Sequence, residues 1–97
     1  MHIEQFVSNA VTRSVEALYG PLAGESIQIQ KTRPEFTGDY TLVVFPLLKR
    51  SRKSPEATAT EIGQRIVADT PEVEAFNVIK GFLNLSLRSG FLVLGLA

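Results

Sequence analysis

The fold is decided by the stretch Lys80-Gly81-Phe82-Leu83-Asn84-Leu85-Ser86-Leu87-Arg88. After the Lys-Gly pair, leucines alternate with an aromatic residue, an amide, a hydroxyl and a cation, so the predicted strand has one apolar and one polar face. Phe76 and Val78 lie in an apolar run just before the pair, and the pair itself suits a tight turn. Residues 75–88 are therefore predicted to form a hairpin.

Two helices are predicted upstream of this hairpin. Residues 3–19 carry apolar side chains at helical spacing, and Gly20-Pro21 ends the pattern. Residues 55–69 repeat the spacing after Ser54, which suits an N-cap, and Pro55, which suits the first helical position.

Two further strands are predicted between the helices. Residues 26–32 alternate apolar and polar, residues 39–44 are β-rich, and Pro46 opens a short helix to about Arg52. The order α-β-β-α-β-β predicts an α+β fold, a two-layer sandwich with an antiparallel four-stranded sheet. Residues 1–88 would form this domain, and residues 89–97 would begin a linker.

Composition excludes several classes of site. Among 97 residues there is no cysteine and one histidine, His2. These counts exclude disulfides, thiolate nucleophiles and cysteine-ligated zinc, and no catalytic or metal-binding constellation can be assembled. The apolar run of residues 91–97 is too short to span a membrane. We expect a cytoplasmic monomer without a membrane partner, cut from a longer protein.

The net charge of zero hides a basic centre. In residues 31–53 six cations face two carboxylates, which leaves +4, whereas residues 54–75 carry −4. The basic run consists of Lys49, Arg50, Arg52 and Lys53. It could contact nucleic-acid phosphates, or it could be a solvated helix end.

Two other features are candidates for function. Phe82 and Asn84 lie two apart on the polar strand face, where a ring can stack on a base and an amide can contact a base edge. The simpler alternative is an exposed strand asparagine beside a phenylalanine at the core edge. Gly38, Asp39 and Tyr40 combine a permissive backbone, a turn-forming carboxylate and an amphipathic ring, which predicts a structural turn.

The Gly38-Asp39-Tyr40 turn, the Pro46-Leu47-Leu48-Lys49 run and the Gly81-to-Leu85 strand together resemble the N-terminal additional domain of bacterial arginyl-tRNA synthetases. The resemblance covers essentially all of residues 1–97 and is strongest to Bacteroidetes-type members. It implies an accessory tRNA-binding domain that contacts the D-loop at the outer corner of tRNA(Arg) and helps the full-length class I enzyme in arginine–tRNA ligation.

The resemblance also implies roles for individual residues. Phe82 and Asn84 would read a D-loop base, and the Gly38-Asp39-Tyr40 turn would be structural first and tRNA-facing second. ATP and arginine would bind in a catalytic core outside this chain, so no cofactor is expected in this domain, and the rest of the synthetase would be its partner. The alternative is a protein-interaction domain that uses the sheet face and the apolar tail.

Overall fold

The computed structural model describes residues 3–24 and 26–88 as two layers of secondary structure. In chain order the elements are α1 (Ile3–Tyr19), β1 (Gln28–Lys31), β2 (Tyr40–Val43), a 3-10 turn (Phe45–Leu47), α2 (Leu48–Ser51), α3 (Pro55–Asp69), β3 (Val73–Ile79) and β4 (Phe82–Leu87). Residues 89–97, which include the predicted linker and apolar tail, lie outside the described residues. No helix in the described ranges is long and apolar enough to cross a bilayer.

The four strands form one antiparallel sheet in the order β1-β2-β4-β3. Two hairpins, β1–β2 and β3–β4, are therefore joined along a central seam where β2 pairs with β4. Leu42 lies opposite Leu83 at this seam. The predicted α+β class and the four-stranded antiparallel sheet are confirmed.

The core lies between the sheet and the helices. The apolar stripe of α1, which includes Val7, Val11 and Val15, packs with that of α3 against the leucines of β2 and β4. Because the side chains of a strand alternate, burial of those leucines turns their neighbours to the opposite, open face of the sheet. The open face is where Phe82 and Asn84 lie.

The middle of the chain differs in detail from the prediction. The expected helix from Pro46 to Arg52 begins as the 3-10 turn and becomes α-helical only from Leu48 to Ser51. Its last position, Arg52, has a left-handed φ of 57°, which ends the helix one residue early. The first two strands are shorter than predicted, and β3 begins at Val73 with an irregularity before Ala75.

Candidate nucleic-acid interface

A row of four polar residues crosses the open face of the sheet. The strand register sets Gln30 opposite Thr41, Thr41 opposite Asn84, and Asn84 opposite Asn77. Residues directly opposite one another in an antiparallel sheet share a face and are close enough to interact. One member of the row comes from each strand, so the row exists only when the whole sheet is formed.

Hydrogen bonds link three members of this row. The Thr41 hydroxyl donates to Asn84 Oδ1 at 2.6 Å, and Asn84 Nδ2 donates to Asn77 Oδ1 at 3.0 Å. Asn77 Nδ2 in turn donates to the Thr37 carbonyl at 2.8 Å. Asn84 is only 1% exposed, so the predicted base-reading amide is buried and both of its polar atoms are engaged.

The loop between β1 and β2 covers Asn84. At one end of the loop, the hydroxyls of Thr32 and Thr41 lie 2.9 Å apart, and at the other end Thr37 accepts from Asn77. Gly38 has a φ of +144°, and a Cβ there would lie 3.1 Å from Asn84 Cβ and 3.1 Å from Thr32 Oγ1. Only glycine allows the backbone this conformation and this close approach.

Asp39 joins the same loop to β4. Its backbone N–H donates to the Leu85 carbonyl at 2.7 Å, and its Oδ2 accepts from the Leu87 N–H at 2.7 Å. Tyr40 follows as the first residue of β2, opposite Leu85, and is half-buried. Gly38 thus lies beside Asn84 and the Asp39 carboxylate is directed at the β4 backbone, whereas Tyr40 packs against the core on the opposite face of the sheet.

A cleft of about 220 Å³ opens beside this network, between the β1–β2 loop and the β3–β4 turn. Two aromatic residues, Phe36 and Phe82, line it together with two exposed cations, Arg33 and Lys80. Thr41 and Asn84 also line the cleft. Apolar rings beside cations can hold a stacked base and the phosphates that flank it.

Phe82 is held in place at one wall of the cleft. Its ring packs edge-to-face against Phe45, with centroids 6.2 Å apart and planes at 79°. Phe45 is itself 49% exposed, so the two rings form a partly open aromatic pair at this end of the sheet. The pair keeps Phe82 half-buried.

The Lys80-Gly81 turn packs close to the start of α3, which follows the basic run in the chain. Lys80 and Gly81 have φ values of 49° and 82°, the left-handed pair expected of a tight hairpin turn. A Cβ on Gly81 would lie 2.9 Å from Pro55 Cβ, so the turn packs against the start of α3. The basic run immediately precedes that start, so it lies at the same end of the sheet as Lys80.

The four cations of the basic run have different surroundings. Arg50 donates to the carbonyls of Tyr19, at 3.2 Å, and of Pro21, which ties it to the end of α1. Lys53 Nζ lies 2.7 Å from Glu61 Oε2 on α3. Lys49 and Arg52 are exposed, and their side chains form no ion pair with any residue that the structure describes.

Glu61 connects this basic run to α1. Hydrogen bonds from Lys53 and from the Tyr19 hydroxyl both favour the ionised carboxylate, so the pKa of Glu61 is lowered. Burial raises the pKa of the Tyr19 hydroxyl, and its bond to Glu61 raises it further. This cluster joins α1, α3 and the segment between α2 and α3, and Arg50 separately joins α2 to the end of α1. Lys53 and Arg50 therefore stabilise the helical layer whatever else they contact.

Several residues of the cleft were not identified from the sequence. Gln30, Arg33 and Phe36 lie on β1 and its loop, far in sequence from Phe82. The sequence does contain a local signal for the turn that carries Arg33 and Phe36, because Pro34 suits a tight turn. The structure has this turn, in which Phe36 N–H donates to the Arg33 carbonyl at 3.0 Å. In the described part of the chain, no three potential metal ligands cluster together.

The protein family and the relatives that match this sequence are consistent with the fold described above. Residues 1–87 match the family described as arginyl tRNA synthetase N terminal domain. The chain is 55% identical over 89 residues to an arginine–tRNA ligase of Porphyromonas gingivalis and 54% identical over 90 residues to one of Bacteroides thetaiotaomicron. These matches cover 90% and 92% of this chain but 15% of each relative.

A solved structure gives the same result. The arginyl-tRNA synthetase of Thermus thermophilus is similar with a TM-score of 0.77 at 25% identity, over 95% of this chain and 15% of that one. This chain therefore spans about 15% of the length of the relatives that it matches. The resemblance to Bacteroidetes members that was inferred from the motifs is confirmed, and the chain belongs to the arginyl-tRNA synthetase N-terminal domain family.

Proposed function

We propose that this chain is the accessory tRNA-binding domain of an arginine–tRNA ligase and contacts the D-loop at the outer corner of tRNA(Arg). The observation that carries the proposal is the cleft on the open face of the sheet, where Phe36 and Phe82 lie beside Arg33 and Lys80. An RNA loop offers unstacked bases and phosphates, and these four side chains complement both. The family membership agrees with this role.

In the whole enzyme, this domain and the rest of the synthetase have separate roles. Ligation of arginine to tRNA, with its ATP and arginine sites, belongs to the rest of the synthetase, which is the covalent partner of this domain. The domain itself acts as a cytoplasmic monomer that adds contacts to tRNA. Lys49 and Arg52 extend the cationic surface beyond the cleft, whereas Arg50 and Lys53 also hold α1 and α3.

The experiment is an NMR titration of the isotope-labelled chain with tRNA(Arg) at low and at moderate salt. We expect amide shifts around Phe82, Lys80 and Arg33 that weaken as salt is added, with a dissociation constant of about 10⁻⁴–10⁻⁶ M, because the contacts are largely electrostatic. The Lys80→Gln variant should bind more weakly and lower the salt slope by about one.

The matched control removes one positive charge from the helical layer, away from the cleft. Arg13 is exposed on α1, so Arg13→Gln should leave the binding constant nearly unchanged. Equal losses in the two variants would mean that only net charge matters and would remove the support that the cleft gives to the proposal. If no tRNA shifts any resonance at low salt and sedimentation shows a stable oligomer, the protein-interaction alternative replaces it.

A further inference from the structure

We propose that the apolar segment of residues 91–97 binds in a second groove on the open face of the sheet, between the β1–β2 loop and edge strand β3. This groove is distinct from the cleft described above, although Phe36 and Ile79 line both. Four observations carry the inference: the lining of the groove, the composition of the segment, the point at which the chain leaves the sheet, and the size of the groove.

The groove offers apolar surface on two sides. Along its floor, Ala75 and Ile79 of β3 lie on the open face, because they are paired with Ser86 and Phe82 and not with the buried leucines of β4. On the other side, Phe36 of the β1–β2 loop lines the groove. Contiguous apolar surface with a polar rim is typical of a binding groove.

The charge of the groove favours an uncharged occupant over RNA. Neither Arg33 nor Lys80, the two cations of the cleft, lines the groove, whereas Glu35 does. A carboxylate at this position repels RNA phosphates, and no lysine or arginine among the residues described as lining the groove offsets it. Asn77, which also lines the groove, is bonded within the domain to the Thr37 carbonyl.

Residues 91–97 have the composition that such a groove requires. The sequence Phe-Leu-Val-Leu-Gly-Leu-Ala has no charged or hydrogen-bonding side chain, and five of its seven residues are large and apolar. Moving these side chains from water onto apolar surface is favourable. The segment and the groove therefore complement each other in polarity and in charge.

The chain leaves the sheet next to the groove. Ser86 lines the groove, and Arg88 follows it by two residues. Arg88 is fixed in place, because its N–H donates to the Glu72 carbonyl at 2.9 Å and its side chain donates to the Pro71 carbonyl. The Ser-Gly pair at 89–90 is typical of a turn. Beyond that turn, four or five extended residues would cover the floor of the groove, which spans four residue steps of β3, about 13 Å.

The size of the groove favours this segment over a separate protein. The groove has a volume of about 520 Å³, and eight residues of the described chain line it. A volume in the roughly 300–1,000 Å³ range encloses a small ligand, whereas a stable interface between proteins uses about 20–30 residues on each side. A segment on a short tether has an effective concentration of about 1 mM, so a dissociation constant of about 1 mM already keeps it bound half of the time.

The test is NMR spectroscopy of the whole chain in the absence of tRNA. We expect nuclear Overhauser effects from the methyl groups of Leu92 and Leu94 to those of Ala75 and Ile79. In a mixture of isotope-labelled and unlabelled chains, no such effect should connect one chain with another, because the contact lies within a single chain.

A matched pair of variants tests the groove itself. Ala75→Glu adds a carboxylate to a groove that Glu35 already lines, whereas Ala57→Glu adds the same charge to an exposed position of α3. In Ala75→Glu the effects should be lost, and the amide shifts of residues 91–97 should move to those of a free peptide of the same sequence. In Ala57→Glu both should stay as in wild type.

Several outcomes would overturn the proposal. Effects from residues 91–97 to Ile27 or Ile29 would assign the segment to the groove between α1 and β1. Effects between labelled and unlabelled chains would assign the β3 groove to a second copy. The absence of effects in wild type, their persistence in Ala75→Glu, or an equal loss in the two variants would also contradict it. No tRNA is present in these measurements, so their result leaves the proposed tRNA contact untouched.

Discussion

The Asn84 network allows a quantitative prediction about stability. The Asn84→Ala substitution removes two hydrogen bonds from a side chain that is 1% exposed. Each such bond contributes about 1 kcal/mol, and the space left by the truncated side chain adds a cost of about 1 kcal/mol. The free energy of unfolding should therefore fall by about 2–3 kcal/mol.

The assay is urea and thermal unfolding of the 97-residue chain, followed by circular dichroism. For a domain of this size, 1 kcal/mol corresponds to about 4–8 °C, so the midpoint should fall by about 8–24 °C. The matched control is Asn9→Ala, because Asn9 is exposed on α1 and bonds only to the neighbouring Gln5 side chain. That variant should change the free energy of unfolding by less than about 0.5 kcal/mol.

A double-mutant cycle shows whether the network itself is responsible. Thr41→Val removes the hydroxyl that donates to Asn84 and keeps the side-chain volume. If the bond is real, the double variant should lose about 1 kcal/mol less than the sum of the single variants. Strictly additive losses, or a loss in Asn84→Ala no larger than in the Asn9 control, would show that the network does not stabilise the fold.

Three other predictions concern the helices. Because the pKa of Glu61 is lowered, its ion pair with Lys53 stabilises the fold fully above the ordinary glutamate pKa of 4.5 and is lost as the pH falls through the lowered pKa of the folded state. The stability advantage of wild type over Glu61→Gln should therefore shrink as the pH falls below 4.5. Gly63→Ala should destabilise the chain by about 1–3 kcal/mol in chemical denaturation, since a Cβ there would lie 2.6 Å from the Phe76 ring, and a stabilised variant would contradict this packing. Arg52→Gly should raise the free energy of unfolding by about 0.5–1 kcal/mol, and the melting point with it, because φ is 57° at this position. The same variant should weaken tRNA binding if Arg52 contacts phosphate. A variant that changes neither quantity would contradict both statements.

The long helices could be predicted because their signals are local. The predicted bounds 3–19 and 55–69 are those of α1 and α3. At the start of α3, Ser54 Oγ accepts from the Ala57 N–H at 3.1 Å, as its sequence context indicated. The Lys80-Gly81 turn was equally accessible, since its geometry depends on two adjacent residues.

The burial of Asn84 could not be predicted in this way. Alternation along β4 correctly assigns Asn84 to the polar face, but that face is covered locally by a loop that precedes it by more than 40 residues. The partners of Asn84 come from β2 and β3, and only the strand order brings them together. The position of Gln30 at the cleft could not be predicted for the same reason, because it depends on the pairing of β1 with β2.

The sheet order described above also bears on how the chain folds. The order β1-β2-β4-β3 divides the domain into two helix–hairpin halves, α1 with β1–β2 and α3 with β3–β4. Within each half the contacting residues are close in sequence, whereas the seam between β2 and β4 pairs residues some 40 positions apart. Forming the seam therefore has a larger entropy cost of loop closure. Formation of the seam is thus expected to come late, so that Leu42→Ala at the seam mainly speeds unfolding, while substitutions inside the β3–β4 hairpin slow folding. Chevron kinetics of the two kinds of variant would show this order of events, and Asn84 would acquire its bond to Thr41, which crosses the seam, only in the last step.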